Sequence, residues 1–67
     1  MKYQHYKGGV YELIGEAMLE SDLTPMIVYR SVDGRLWVRP QAVFFESVEI
    51  DGGWAPRFAP LLPDSDR

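Results

Sequence analysis

Few side chains in this 67-residue chain are equipped for chemistry, and their spacing narrows the choice. His5 is the only histidine and cysteine is absent, so a metal site would have to be completed by carboxylates, which nowhere stand at a convincing ligand spacing. Lys7-Gly8-Gly9 lacks the glycine spacing and the following Ser or Thr of a phosphate loop; the glycine pair reads instead as a tight turn into a strand. No Ser or Thr sits in a nucleophile elbow, and no oriented partner for a general base is apparent. A non-catalytic chain without metal or cofactor is therefore expected, with His5 in a structural role, its ring bonded to backbone beside Tyr6. What remains is a basic and aromatic group, Arg30, Trp37 and Arg39, of the kind that anchors a partner.

The elements that would hold these residues belong to one small module, because a second core would leave each half too little apolar surface to bury. Four Tyr, three Phe and two Trp are expected to supply much of that core. Without cysteine there are no disulfides, which fits an intracellular chain. No apolar stretch is long enough for a signal peptide or a membrane span, so the expectation is a soluble, cytoplasmic protein with no membrane contact. Seven basic against ten acidic residues give a net charge of −3, which argues against non-specific nucleic-acid binding. Charge is also segregated: Glu12, Glu16, Glu20 and Asp22, then Glu46, Glu49 and Asp51, flank a stretch holding Arg30, Arg35 and Arg39 with only Asp33 among them.

Asp33-Gly34 between the runs 26–32 and 35–39, both rich in β-branched and aromatic residues, predicts a hairpin. With a two-residue loop, Arg30 faces Trp37 and Val28 faces Arg39, so that Ile27, Tyr29, Leu36 and Val38 form the core face. Asp51-Gly52-Gly53 predicts a second hairpin with its register open, and Pro56 places that hairpin's second strand at an edge. Pro40 suits the first position of a short helical turn over 40–45. For 10–19 the period-two pattern favours a strand, since a helix would carry Gly15 in its middle at a cost of about 1 kcal/mol. Pro60 and Pro63 bar a regular ending, so the expected domain covers 3–58 and a polar tail covers 59–67.

His5-Tyr6-Lys7-Gly8-Gly9-Val10-Tyr11-Glu12, Val28-Tyr29-Arg30 and Leu36-Trp37-Val38-Arg39-Pro40, followed by Phe44 and Glu46, resemble a family of short bacterial proteins known only as a domain of unknown function. Its members run His-Tyr-Lys-Gly near the N-terminus and Trp-Val-Arg-Pro before a short helical turn. The likeness spans about Tyr3 to Phe58. It implies a small, strongly bent, five-stranded barrel of the SH3-like type, all-β apart from the helical turn near Pro40–Phe45, and it implies no activity.

Two uses of the Arg30, Trp37 and Arg39 face are open. The face can serve the fold, with the arginines paired to Glu46 or Glu49 and Trp37 under the tail or the short helix. Alternatively it docks an acidic or aromatic protein or peptide partner, with Tyr3, Tyr6 and Trp54 extending the platform as in aromatic-lined grooves that grip peptides. A homodimer paired through edge strands is a further possibility. Single-stranded nucleic acid would need a continuous basic groove, which the acidic segments oppose.

Overall fold

A computed structural model describes residues 1–61. Seven strands and one helical turn follow in order: β1 (Lys2–His5), β2 (Val10–Leu19), β3 (Thr24–Ser31), β4 (Leu36–Pro40), α1 (Gln41–Phe44), β5 (Ser47–Ile50), β6 (Gly53–Pro56) and β7 (Phe58–Leu61). They form a five-stranded antiparallel sheet in the order β4-β3-β2-β1-β7 and a separate two-stranded sheet of β5 and β6. The chain is thus all-β with a short helical turn, as expected. The five-stranded barrel is corrected to seven strands in two sheets, and among the described residues no ladder closes either sheet on itself.

The strand over 10–19 forms as expected, and Gly15 has its use in a bulge. The register against β3 shifts between Leu13 and Gly15, leaving Ile14 as the extra residue. A bulge bends the strand and tightens its twist. The resulting curl brings the first and last strands of the sheet together through side chains: the Arg39 guanidinium on β4 lies 5.5 Å from the ring centroid of Phe58 on β7.

The first hairpin forms at Asp33-Gly34, but its loop has three residues, Val32, Asp33 and Gly34. Ser31 N–H donates to the Arg35 carbonyl and Gly34 N–H to the Ser31 carbonyl, each at 2.9 Å. The Asp33 carboxylate accepts from the Arg35 amide at 3.1 Å and from the Ser31 hydroxyl. Gly34 takes φ +87°, the left-handed position that closes a three-residue loop with a bulge. One added loop residue moves the register by one, so Trp37 faces Tyr29 and Arg30 faces Leu36. The expected faces are therefore exchanged along β4. Leu36 (57% exposed) and Val38 (61%) point outward, while Trp37 and Arg39 join Ile27 and Tyr29 on the inner side.

Two strands lay outside the expectation. β1 pairs with β2 on one side and β7 on the other, with Tyr3 opposite both Tyr11 and Pro60. Residues 59–61 of the tail expected over 59–67 thus stand in the sheet as part of β7, and β1 begins at Lys2; the rest of that tail lies outside the described residues. Pro60 is compatible with a strand because of which way its nitrogen points. Tyr6 N–H donates to the Arg57 carbonyl at 2.9 Å, and counting by alternation from that bonded pair turns the backbone of Pro60 away from β1. The same count from Ser31 and Arg35 turns the backbone of Pro40 away from β3, so each edge strand of the sheet has a proline where an N–H would face outward.

The second hairpin turns at Asp51-Gly52, with Ile50 opposite Gly53, and Pro56 stands on an edge strand as predicted. Pro40 caps α1, whose Phe44 is fully buried. The core is aromatic: Phe44 stacks on Phe58 at 4.2 Å, Tyr29 closes on both, and Ile27 is buried with them. Tyr3, Tyr11 and Leu13 pack around this cluster half-buried.

Candidate functional site

Where the inner face of the sheet runs out beside the core, it opens into a cleft of about 270 Å³. Strand alternation supplies its walls. Trp37 and Arg39 stand two apart on β4, Tyr29 lies opposite Trp37, and Tyr11 on β2 and Phe58 on β7 complete the aromatic lining. The mouth is formed by His5 at the end of β1 and by Lys7 and Gly9 in the turn that follows. That turn is closed by hydrogen bonds from His5 N–H to the Gly9 carbonyl and from Gly8 N–H to the His5 carbonyl, both 2.7 Å, with Gly8 at φ +108°. The tight turn read from the glycine pair is therefore present, and it sets Lys7 beside the cleft.

Each polar group has a defined partner, which fixes what is left over. Arg39 donates through Nε to the Tyr29 hydroxyl at 3.3 Å, leaving both terminal nitrogens for a ligand. Trp37 donates through Nε1 to Ser31 Oγ at 3.0 Å, so the indole offers the cleft only apolar surface. The Lys7 amide donates to His5 Nδ1 at 3.1 Å; the neutral ring then carries its proton on Nε2, a free donor. This is the backbone-bonded histidine the sequence suggested, packed between Tyr6 at 4.6 Å and Phe58 at 4.8 Å.

Burial pushes the His5 pKa below its usual value, and the positive charges of Arg39, Arg57 and Lys7 push it further the same way. Protonating His5 therefore costs more in the folded chain than in the unfolded one, whose histidine titrates near ~6.5. Stability should be full above that pH and decline as pH falls through it. Thermal melts from pH 7.5 to 5.5 will show a falling midpoint that His5→Gln flattens; an unchanged slope in the variant would remove His5 as the cause. The two shifted aspartates do not mimic this. Asp22 and Asp33 are held below the usual range chiefly by side-chain hydrogen bonds from Thr24 and Ser31, so their loss comes only under about pH 4.

Of the residues picked from sequence, the structure brings Trp37 and Arg39 together and sends Arg30 to the opposite face, where it pairs with Glu12 at 4.0 Å. The proposed Arg30–Trp37 contact is replaced by Arg35, 5.8 Å over the indole. Glu46 pairs with Arg57 at 3.7 Å, and among the described residues Arg39 has no carboxylate partner. Trp37 is 43% exposed. Tyr3, Tyr6 and Trp54 do not form one platform: Tyr3 meets Phe44 and Phe45 edge-on, Tyr6 lies against His5 and Lys7, and Trp54, 72% exposed, stands on the separate β5–β6 hairpin. Lys7, Tyr11, Tyr29 and Phe58 were missed. The signal for Tyr29 was parity with Trp37 in the correct register, and that for Lys7 was the His5-Tyr6-Lys7-Gly8-Gly9 turn. Among the described residues no cluster of three or more His, Asp or Glu could hold a metal, and no helix is long and apolar enough to cross a membrane.

No curated protein matches the chain. A crystal structure of a DUF1653 protein from Bordetella bronchiseptica is similar at a TM-score of 0.83 and 27% identity, covering 98% of this chain and 90% of that one. The model of the family described as "Protein of unknown function (DUF1653)" matches residues 1–60, and the chain belongs to that family.

Proposed function

We propose that this chain is a small, non-catalytic, cytoplasmic interaction module that takes one anionic side chain of a protein or peptide partner into the Trp37–Arg39 cleft. The observation that carries this reading is the imbalance of the lining. Arg39, Lys7 and the His5 Nε2–H are donors, His5 Nδ1 is taken by the Lys7 amide, the two tyrosine hydroxyls can donate or accept, and no carboxylate takes part. A ligand that suits such a lining is rich in acceptors and negatively charged. The aromatic walls lower the local dielectric and strengthen each charged hydrogen bond.

Catalysis has less support. His5 is the one lining residue suited to act as a base near neutral pH, and its acceptor nitrogen is engaged by the Lys7 amide. A nucleic-acid strand has less support too, because Arg30 faces away from Arg39 and the net charge is −3.

The test is a ¹H–¹⁵N titration with a short, otherwise neutral peptide carrying one phosphoserine, run beside its unphosphorylated twin. Shifts confined to His5, Lys7, Trp37 and Arg39, seen with the phosphorylated peptide alone and weakened by added salt, support the reading. Shifts centred on Arg30, Leu36 and Val38, or none at millimolar peptide, reject it.

A further inference from the structure

We infer that the anion taken by this cleft is a phosphate carried on an aromatic ring, the side chain of a phosphotyrosine in the partner. This rests on the anion-binding reading above and specifies the ligand from charge, donor number and the shape of the walls.

Charge comes first. Lys7 and Arg39 bring two positive charges to a lining without a carboxylate. A carboxylate would neutralise one of them, whereas a phosphate monoester carries about −1.5 to −2 at pH 7 and matches both. Donor number agrees. With Arg39 Nε committed to Tyr29 and His5 Nδ1 to the Lys7 amide, three nitrogen donor groups remain, the paired terminal nitrogens of Arg39, His5 Nε2–H and the Lys7 ammonium, and the Tyr11 and Tyr29 hydroxyls can donate beside them. A phosphate monoester offers three acceptor oxygens. Because His5 donates as a neutral ring, it adds a hydrogen bond without a third charge.

The walls supply the ring. The Trp37 indole is tethered through Nε1 to Ser31, is 43% exposed and lines the cleft, while Arg35, 5.8 Å over the ring, does not, so the indole brings the cleft aromatic surface for a planar group. A volume of about 270 Å³ falls just under the range of about 300–1,000 Å³ typical of drug-sized ligands, which suits one large side chain. A polyanion is poorly matched, since Arg30 on the outer face is already paired with Glu12 and extends no cationic track from the cleft.

The test uses the full chain in a Trp54→Phe background, which leaves Trp37 as the sole indole emitter. It is titrated at fixed ionic strength with three peptides identical but for a central phosphotyrosine, phosphoserine or tyrosine. The phosphotyrosine peptide should change Trp37 emission and bind about tenfold or more tighter than the phosphoserine peptide, the gain given by stacking one ring. The tyrosine peptide should not bind measurably. Followed by amide shifts, Trp37→Leu should bring phosphotyrosine down to the phosphoserine affinity and leave the latter unchanged, while Trp37→Phe keeps most of the difference. Equal affinity for the two phosphopeptides overturns the aromatic requirement and leaves the anion site standing. No binding of either overturns both, and tighter binding of unmodified tyrosine overturns the phosphate.

Discussion

Replacing Phe44 by alanine will leave much of the population unfolded at 25 °C. Phe44 is fully buried, stacked on Phe58 at 4.2 Å and met by the Tyr3 and Tyr29 rings at 5.4 Å each. It is also the residue through which the helical turn after β4 reaches a cluster shared by β3 and β7. Truncating such a side chain costs about 3–5 kcal/mol, and a single core in a chain this short supplies roughly 3–5 kcal/mol in total. The two figures are equal within their spread, so the folded fraction falls to about half or less instead of slipping by a few per cent. Urea titration followed by circular dichroism checks this: the wild type should show a folded baseline and the variant should lack most of it. A midpoint change equivalent to less than about 1 kcal/mol would mean that the aromatic cluster is not what holds the sheet. Phe44→Leu, which keeps most of the volume, should stay folded.

Arg39→Gln should weaken binding of the phosphoserine peptide about 30-fold or more, the equivalent of roughly 2 kcal/mol at the lower end for removing one partner of a hydrogen-bonded charge pair. The lower end applies because Arg39 is only half-buried. Arg39→Lys should recover only part of the loss: it restores the charge but not the fork of terminal nitrogens or the bond from Nε to Tyr29. Arg30→Gln is the control, since it changes net charge by the same unit on the opposite face. Isothermal titration of the three variants separates the explanations. Equal losses in Arg30→Gln and Arg39→Gln would reduce the cleft to a net-charge effect.

The legible parts of the molecule were those decided by neighbours in the chain. Asp33-Gly34 and Asp51-Gly52 mark turns because aspartate and glycine accept the backbone angles turns need. Pro40 announces the helical turn, and the alternation over 10–19 announces a strand. The register of the first hairpin was not legible in the same way. Two-residue and three-residue loops are both compatible with Asp-Gly, and the choice is made by the Asp33 carboxylate bonding Ser31 and the Arg35 amide. That one residue decided whether Trp37 would sit with Arg30 or with Tyr29. Hydrophobic pattern does not choose between the two registers, because Ile27, Tyr29, Leu36 and Val38 would make an equally apolar face.

β1 and β7 were hidden for a different reason. Each has four residues and they pair across the length of the chain, so no local pattern connects Tyr3 with Pro60. Half of the cleft depends on that pairing, because His5 and Phe58 meet only once it forms. Trp37 and Arg39 could be singled out as residue types, but their companions follow from long-range topology.

The outward-facing prolines bear on how this chain behaves in a crowded solution. Leu36 and Val38 leave an apolar strip along β4, the kind of surface on which a stray or half-folded chain would begin to add a strand. An added strand must gain a continuous row of hydrogen bonds, and at Pro40 on one side of the sheet and Pro60 on the other the row is interrupted by a residue with no hydrogen to give. Each edge of the sheet thus offers an added strand a shortened row, which lowers what such pairing gains beside the exposed strip.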